Sequence, residues 1–327
     1  MIESMWFAEV TGISVTSIPL KTMTTAIFVL GEALMDCISQ ADGSLRPFQG
    51  GSPYNLARAA ALQGAPTHFI NPFSTDAFGQ GLKATLARDG VKTVLADTPL
   101  PTSLAVVQVI NGQPNYGFYR EGIADRGYSV DSVVEWMEGQ PPAILHTGSL
   151  LMLPPEHEKT LAVIKMAKRL GWTISVDVNL RPKLAADLSA YVAAVATIAQ
   201  LADWLKASDE DLELLGYADA SLANAATLAT HFPNASRIAL TFGGNGAYLQ
   251  VDGQAAQAPV PQVAVVDTVG AGDTFWGNTL ADWAKHPTDA HTRVDRTLAW
   301  AMQAAAINCT RAGCQPPSQA EVEAALA

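Results

Sequence analysis

One stretch of this chain has the residue types and spacing for phosphate chemistry: Asp267-Thr268-Val269-Gly270-Ala271-Gly272-Asp273-Thr274-Phe275. A β-branched run ends at Asp267 and Thr268, a glycine turn follows, and the apolar segment from Phe275 to Trp283 has helical spacing. Glycines let backbone N–H groups line a concavity, and a helix start adds partial positive charge, so the turn suits an anion. A bare carboxylate at Asp273 would repel a phosphate. It fits as a base that takes the proton from a hydroxyl attacking the phosphate, while the backbone of Gly270, Ala271, Gly272 and Asp273 holds the transferred group. Taken alone, Asp273 reads more plainly as a helix cap.

A second stretch, Gly50-Gly51-Ser52-Pro53-Tyr54-Asn55, opens another helix. Ser52 reads as its cap, Pro53 as its first position, and Gly64 follows its end. Asn55 then falls in the first turn, facing whatever the glycines approach. An ordinary capped helix would look the same.

The two strings, in this order, resemble the first and second signatures of the ribokinase (PfkB) family of sugar kinases, and the resemblance covers about residues 26 to 320. It implies that Gly50, Gly51 and Asn55, with Asp36 after the first strand, hold sugar hydroxyls. Phe118-Tyr119-Arg120, followed by Ala124-Asp125, looks most like the fructokinases of the family, with Phe118 and Arg120 closing over the sugar from a lid. Asp177-Val178-Asn179-Leu180-Arg181 is similar to the family's Asp-x-Asn-x-Arg segment near substrate and phosphate. Arg181 is the cation for that place, whereas Asp177 and Asn179 serve equally well as turn formers.

Lys206-Ala207-Ser208-Asp209-Glu210-Asp211 corresponds to the family's Asn-x-x-Glu motif, which organises Mg2+ and phosphates, partly through water. Ser208 stands here for Asn and Asp211 for Glu; the shorter side chain puts direct metal contact in question, and Ser208 also suits a helix cap. The resemblance assigns Lys206, Ser208, Thr241, Gly243 and Gly246 to ATP, and Ala301 and Asn308 to one wall of the adenine pocket. It also implies a K+ site beside Asp267, with carbonyls from Arg311-Ala312-Gly313.

The elements that must position these residues alternate. Apolar runs at Ala26 to Gly31, Thr67 to Asn71, Ala143 to His146, Thr173 to Asp177, Trp204 to Lys206 and Arg237 to Thr241 read as strands. Helices are expected between them, at Asp76 to Arg88, Glu156 to Leu170, Asp187 to Ala199 and Asp209 to Leu215, and a long one at Thr292 to Thr310. Such alternation gives an α/β fold, a doubly wound, mostly parallel sheet with ligands at the carboxyl ends of its strands. Turn signals at Asp42-Gly43-Ser44 and Asn111-Gly112 mark hairpins, so about 34–48 and 101–121 form a small separate β lid, through which a homodimer is expected. Residues 1–25 read as an N-terminal extension without signal-peptide character, and 26–327 as one kinase domain. His146 and Phe78-Gly79 read as structural.

Composition narrows the function classes. With 327 residues, 49% hydrophobic and 16% charged, the chain can bury a large core. A net charge of −11 without a basic cluster argues against nucleic acid, and no apolar run is long enough for a bilayer. The three cysteines, Cys37, Cys309 and Cys314, lack metal-ligand spacing and fit a reducing, cytoplasmic compartment.

These readings lead to an ATP- and Mg2+-dependent sugar kinase that phosphorylates a primary hydroxyl, converting fructose to fructose 6-phosphate, with Asp273 as base. Two alternatives stay open. The carboxylate of 2-keto-3-deoxygluconate would use Arg120 and Arg181 better than a neutral ketose does, with ribose and nucleosides behind it. A sugar-binding regulator without catalysis would account for the departures at Ser208 and Asp211. Gly31-Glu32-Ala33 after the first strand does not match a dinucleotide-binding loop.

Overall fold

The apolar run at the start becomes β1 (Ile27–Leu30), buried at every position and central to the main sheet. The computed structural model describes residues 24–40, 42–110 and 113–327. The expected Asn111-Gly112 turn, and all of the expected extension except Thr24 and Thr25, lie outside the described residues.

After β1 comes the hairpin of β2 (Leu34–Ser39) and β3 (Leu45–Gly50). Gly43 turns it with φ 83°, and the Asp42 carboxylate accepts from the Ser44 N–H and hydroxyl at 2.9 and 2.6 Å. The chain returns through α1 (Ser52–Leu62), β4 (Thr67–Phe69), α2 (Ala77–Arg88) and β5 (Lys92–Thr93). Asp76 caps α2, accepting from the Gly79 N–H at 2.7 Å. Then β6 (Ser103–Ile110) and β7 (Gln113–Tyr119) join β2 and β3 in a small sheet, order β3-β2-β6-β7.

From there strands and helices alternate: α3 (Val130–Glu138), β8 (Ile144–Gly148), α4 (His157–Arg169), β9 (Thr173–Asp177), α5 (Leu188–Ala199) and β10 (Trp204–Ser208). The short α6 (Asp209–Leu214) and α7 (Ala225–Ala229) lead to β11 (Arg237–Thr241) and the hairpin β12 (Ala247–Val251) and β13 (Gln254–Ala258). The chain ends with α8 (Ala271–Lys285), α9 (Val294–Cys309) and α10 (Gln319–Leu326). Apart from the short β5, the strands and long helices fall where the sequence predicts them; β5, α3, α7 and α10 are additions.

The main sheet runs β13-β12-β11-β10-β9-β8-β1-β4-β5, and every pairing from β11 to β5 is parallel. Period-two alternation divides its core. Phe28 and Leu30 face one cluster with Leu145, Ile174 and Val176; Ile27 and Val29 face the other with Leu56, Phe275 and Trp276. His146 belongs to this interior: its Nδ1 is 3.0 Å from the Ser175 hydroxyl, and burial, with Lys206 nearby, pushes the imidazole down to about 3. Cys37 is a buried strand residue, as expected.

The contact that matters most for the site is between α1 and α8. Gly277 makes it close: a Cβ there would lie 2.7 Å from the Ala59 Cβ and 2.8 Å from the Leu56 carbonyl oxygen. The helices therefore touch backbone to backbone, and their first turns converge. Gly277→Ala is expected to lower stability by about 1–3 kcal/mol, because backbone atoms must shift to admit the methyl group. A lower urea midpoint at unchanged slope would confirm this; an unchanged midpoint would show that the helices separate without cost.

Candidate active site

Asp273 lies in the first turn of α8, buried to 8% exposure. Its two oxygens take donors from α1: the Ser52 hydroxyl to Oδ1 at 2.7 Å and Asn55 Nδ2 to Oδ2 at 2.9 Å. Asn179 Nδ2 donates in turn to the Ser52 oxygen at 2.7 Å. Three segments far apart in sequence are thus joined in one chain of hydrogen bonds that ends on the carboxylate. Burial pushes the Asp273 carboxyl above the ordinary range, against the pull of the Ser52 and Asn55 hydrogen bonds and of the Lys206 and Arg181 charges.

Ser52 does not act as the expected cap. Gly51 occupies the cap position with φ 108°, which places Ser52 inside the helix and leaves its hydroxyl free to reach Asp273. The capping acceptor comes from elsewhere: Glu32 Oε1 receives the Ser52 N–H at 3.2 Å. Glu32 is buried, and an acid placed directly after a wholly apolar strand was the signal that could have marked it.

The turn before Asp273 has the form expected of an anion site. Gly270 sits in the left-handed region at φ 74°, and a Cβ there would run into the Cys314 side chain, so two independent constraints demand glycine. Ala271 N–H bonds back to the Thr268 carbonyl at 3.1 Å, whereas the Gly272 and Asp273 N–H groups have no partner among the described residues. Behind Gly272 lies the Lys206 ammonium, 3.3 Å from where a Cβ would stand. It is paired with both Asp177 oxygens at 2.8 and 3.0 Å. Burial works against this ammonium, but the carboxylates of Asp177, Asp211 and Asp273 outweigh it and hold its pKa above the usual lysine value.

Asp36 faces the same space from β2. Burial pushes its carboxyl up to about 6, with Arg181 pulling it down and Asp273 raising it further. Gly50 lies so close to the Asp36 carboxylate that a Cβ would collide with it. Asn55 Oδ1 is buried and has no partner, which leaves one acceptor directed away from Asp273. Arg181 is exposed, and its field reaches both Asp36 and Asp273.

The lid residues are placed differently from expectation. Arg120 is turned inward, with its side chain 11% exposed, and donates to Ser103 Oγ and Asp125 Oδ2, both at 3.1 Å. It is a brace at the root of the small sheet, because buried Asp125 needs a counter-charge there. Phe118, opposite Ala105, is half-buried against Leu34, Ala105 and Leu150.

On the nucleotide side, Thr241 ends β11, and Gly243 is exposed at φ 50° with open space around it. Gly246 serves the fold: at φ 122° it is pressed against the Ala258 carbonyl. Ser208 and Asp211 form a reciprocal capping box on α6. Asp211 Oδ2 accepts from the Ser208 N–H and hydroxyl, both at 2.8 Å, and Oδ1 from the Leu180 N–H at 2.7 Å. With both oxygens engaged, Asp211 does not fit an inner metal ligand. Asp267 likewise accepts from the Val269 and Gly313 N–H groups at 3.0 and 2.9 Å, bracing the signature turn.

Ala301 and Asn308 correct the expected adenine wall. Both are 0% exposed; Ala301 belongs to the core, and Asn308 spends its amide on the Val269 carbonyl and the Gln315 N–H. Exposed apolar surface lies on the loop into α8, where Val265 and Val266 are 63% and 64% exposed.

The sequence and the fold are shared with known proteins. Residues 24–321 match the family model described as pfkB family carbohydrate kinase. A fructokinase of Rhizobium leguminosarum bv. trifolii is 33% identical over 260 residues, 78% of either chain. One of Vibrio alginolyticus is 30% identical over 308 residues, 90% of this chain and 97% of that one. The crystal structure of a fructokinase with bound ATP from Xylella fastidiosa superposes with a TM-score of 0.78 at 28% identity, covering 92% of this chain and 98% of the other.

Glu32 gives a measurable pH dependence. Burial pushes its carboxyl from 4.5 up to about 7, although Arg120 pulls it down. Between those values the folded protein keeps a proton that the unfolded chain has released. The stability from this group is therefore complete below about pH 4.5 and is lost as pH rises through about 7. Glu32→Gln, which keeps an acceptor for the Ser52 N–H, is expected to melt with the wild type near pH 4.5 and above it at pH 8. A melting difference that stays constant across that range would contradict the assignment.

Proposed function

Since the chain belongs to the pfkB family of carbohydrate kinases and is a phosphotransferase acting on an alcohol group, we propose that it transfers the γ-phosphoryl of ATP to the C6 hydroxyl of fructose. The observation that carries the chemistry is Asp273: a buried carboxylate, held by two donors, beside two free N–H groups at the start of a helix. In this reading Asp273 accepts the hydroxyl proton as the oxygen attacks. The Gly272 and Asp273 N–H groups receive the oxygens of the transferred phosphoryl, with Lys206 adding positive charge behind them.

The sugar is held across the same space. Asp36 and Asn55 Oδ1 accept its hydroxyls, the Gly50-Gly51 backbone lies alongside, and Arg181 meets the charge that gathers at the phosphoryl. ATP enters by the open turn at Gly243, with the exposed valines offering an apolar face for its base. Mg2+ would accompany the nucleotide phosphates rather than sit in a cage of protein carboxylates. The small sheet keeps its edges β3 and β7 exposed at Leu45 and Tyr119, which suits the expected homodimer; a mass measurement in solution decides that point.

Fructose is favoured over 2-keto-3-deoxygluconate by the position of Arg120. An acidic sugar would call on both arginines, and the Arg120 charge is already paired with buried Asp125. The test is ADP release with ATP and Mg2+ across fructose, 2-keto-3-deoxygluconate, ribose, a nucleoside and no sugar. Fructose is expected to give kcat/KM at least about tenfold above any other acceptor, equivalent to about 1.4 kcal/mol of discrimination, with fructose 6-phosphate as product. Turnover with the sugar acid alone would overturn the substrate and make Arg181 its carboxylate ligand. Sugar binding without turnover would indicate a regulator.

A further inference from the structure

Ser52 carries an inference beyond the machinery assigned so far, and it rests on the reading of Asp273 as the base. We propose that Ser52 is a positioning residue for Asp273: its hydroxyl fixes the carboxylate in the ionised, acceptor-ready state, and Asn179 fixes the hydroxyl.

The direction of these bonds follows from chemistry. An ionised carboxylate can only accept, so the single Ser52 hydroxyl hydrogen must lie on the 2.7 Å line to Asp273 Oδ1. The Ser52 oxygen then has only lone pairs left for Asn179, which must present its N–H at 2.7 Å. The result is a one-way chain, from amide N–H to hydroxyl to carboxylate. Asn179 holds an uncommon backbone conformation to take part, with φ 36°, in a region that asparagine tolerates better than most residues. Ser52 is fixed from its other side as well, through its N–H on Glu32 Oε1. A hydroxyl used for capping would bond within its own helix, and Ser52 makes no such bond.

The chain predicts behaviour that a merely structural serine would not show. Without the Ser52 donor, the ionised form of Asp273 loses one of its two hydrogen bonds, so its protonation shifts to higher pH. Ser52→Ala is expected to lower kcat about tenfold with fructose KM little changed, and to move the acid limb of the kcat profile up by about one pH unit. Asn179→Gly, which accepts the left-handed backbone, should move the limb the same way by less, and should add nothing on top of Ser52→Ala.

A 13C NMR titration of aspartate-labelled protein reads the Asp273 carboxyl without activity, its resonance assigned by its loss in Asp273→Asn. Upward movement of both the NMR titration and the kinetic limb in Ser52→Ala is the predicted result. If neither moves, the Ser52 proposal fails while the kinase reading stands, even if kcat falls. If the NMR titration moves and the kinetic limb does not, Asp273 is not the base, and the catalytic part of the proposal fails with it.

Discussion

The site depends on one packing constraint, the approach of α1 to α8 at Gly277. Two helices can come this near only where one lacks a side chain, and here the gap is closed by Leu56, Ala59 and Ala60. The consequence is felt about one turn away along α8. The first turn of α1, with Ser52 and Asn55, and the first turn of α8, with Asp273, become neighbours although 218 residues separate Asn55 from Asp273. Neither helix would hold a carboxylate in this place by itself.

Burying that carboxylate is costly, and the surrounding residues show how the cost is met. Asp273 lies near Asp36 and Asp177, so several acids compete for ionisation in a small volume. Short hydrogen bonds from Ser52 and Asn55, the buried ammonium of Lys206 and the exposed guanidinium of Arg181 offset the repulsion. The balance leaves Asp273 above the ordinary carboxylate range, closer to the pKa that suits a base near neutral pH. In a chain of net charge −11, the Lys206 ammonium and the Gly272 and Asp273 N–H groups are the donors this site sets beneath the helix start for an anionic group.

Much of this was legible in the sequence because the signals were local. The apolar runs and helical spacings mark the parallel sheet, and the turn signals mark the separate small sheet. The glycine strings mark the two helix starts. What the sequence hid was pairing at a distance. Ser52 has the type and position of a helix cap, and only Gly51 taking that place turns its hydroxyl toward Asp273. Arg120 looked like a lid cation because its buried partner Asp125 was not recognised as one. Ala301 and Asn308 were assigned to the adenine wall by resemblance alone, which does not tell which face of an alanine-rich helix meets the core. For Ser208 the sequence suits a helix cap, and the structure pairs it with Asp211 in a capping box.

The central claim is that Asp273 acts on the sugar proton and does not merely hold the fold together. Calorimetric binding of fructose to Asp273→Asn, set beside its rate of fructose-dependent ADP release, tests this directly, because asparagine keeps the shape and loses the base. The account predicts binding within a few-fold of wild type and turnover reduced by about a thousandfold or more. Turnover near the wild-type rate with binding intact would contradict it.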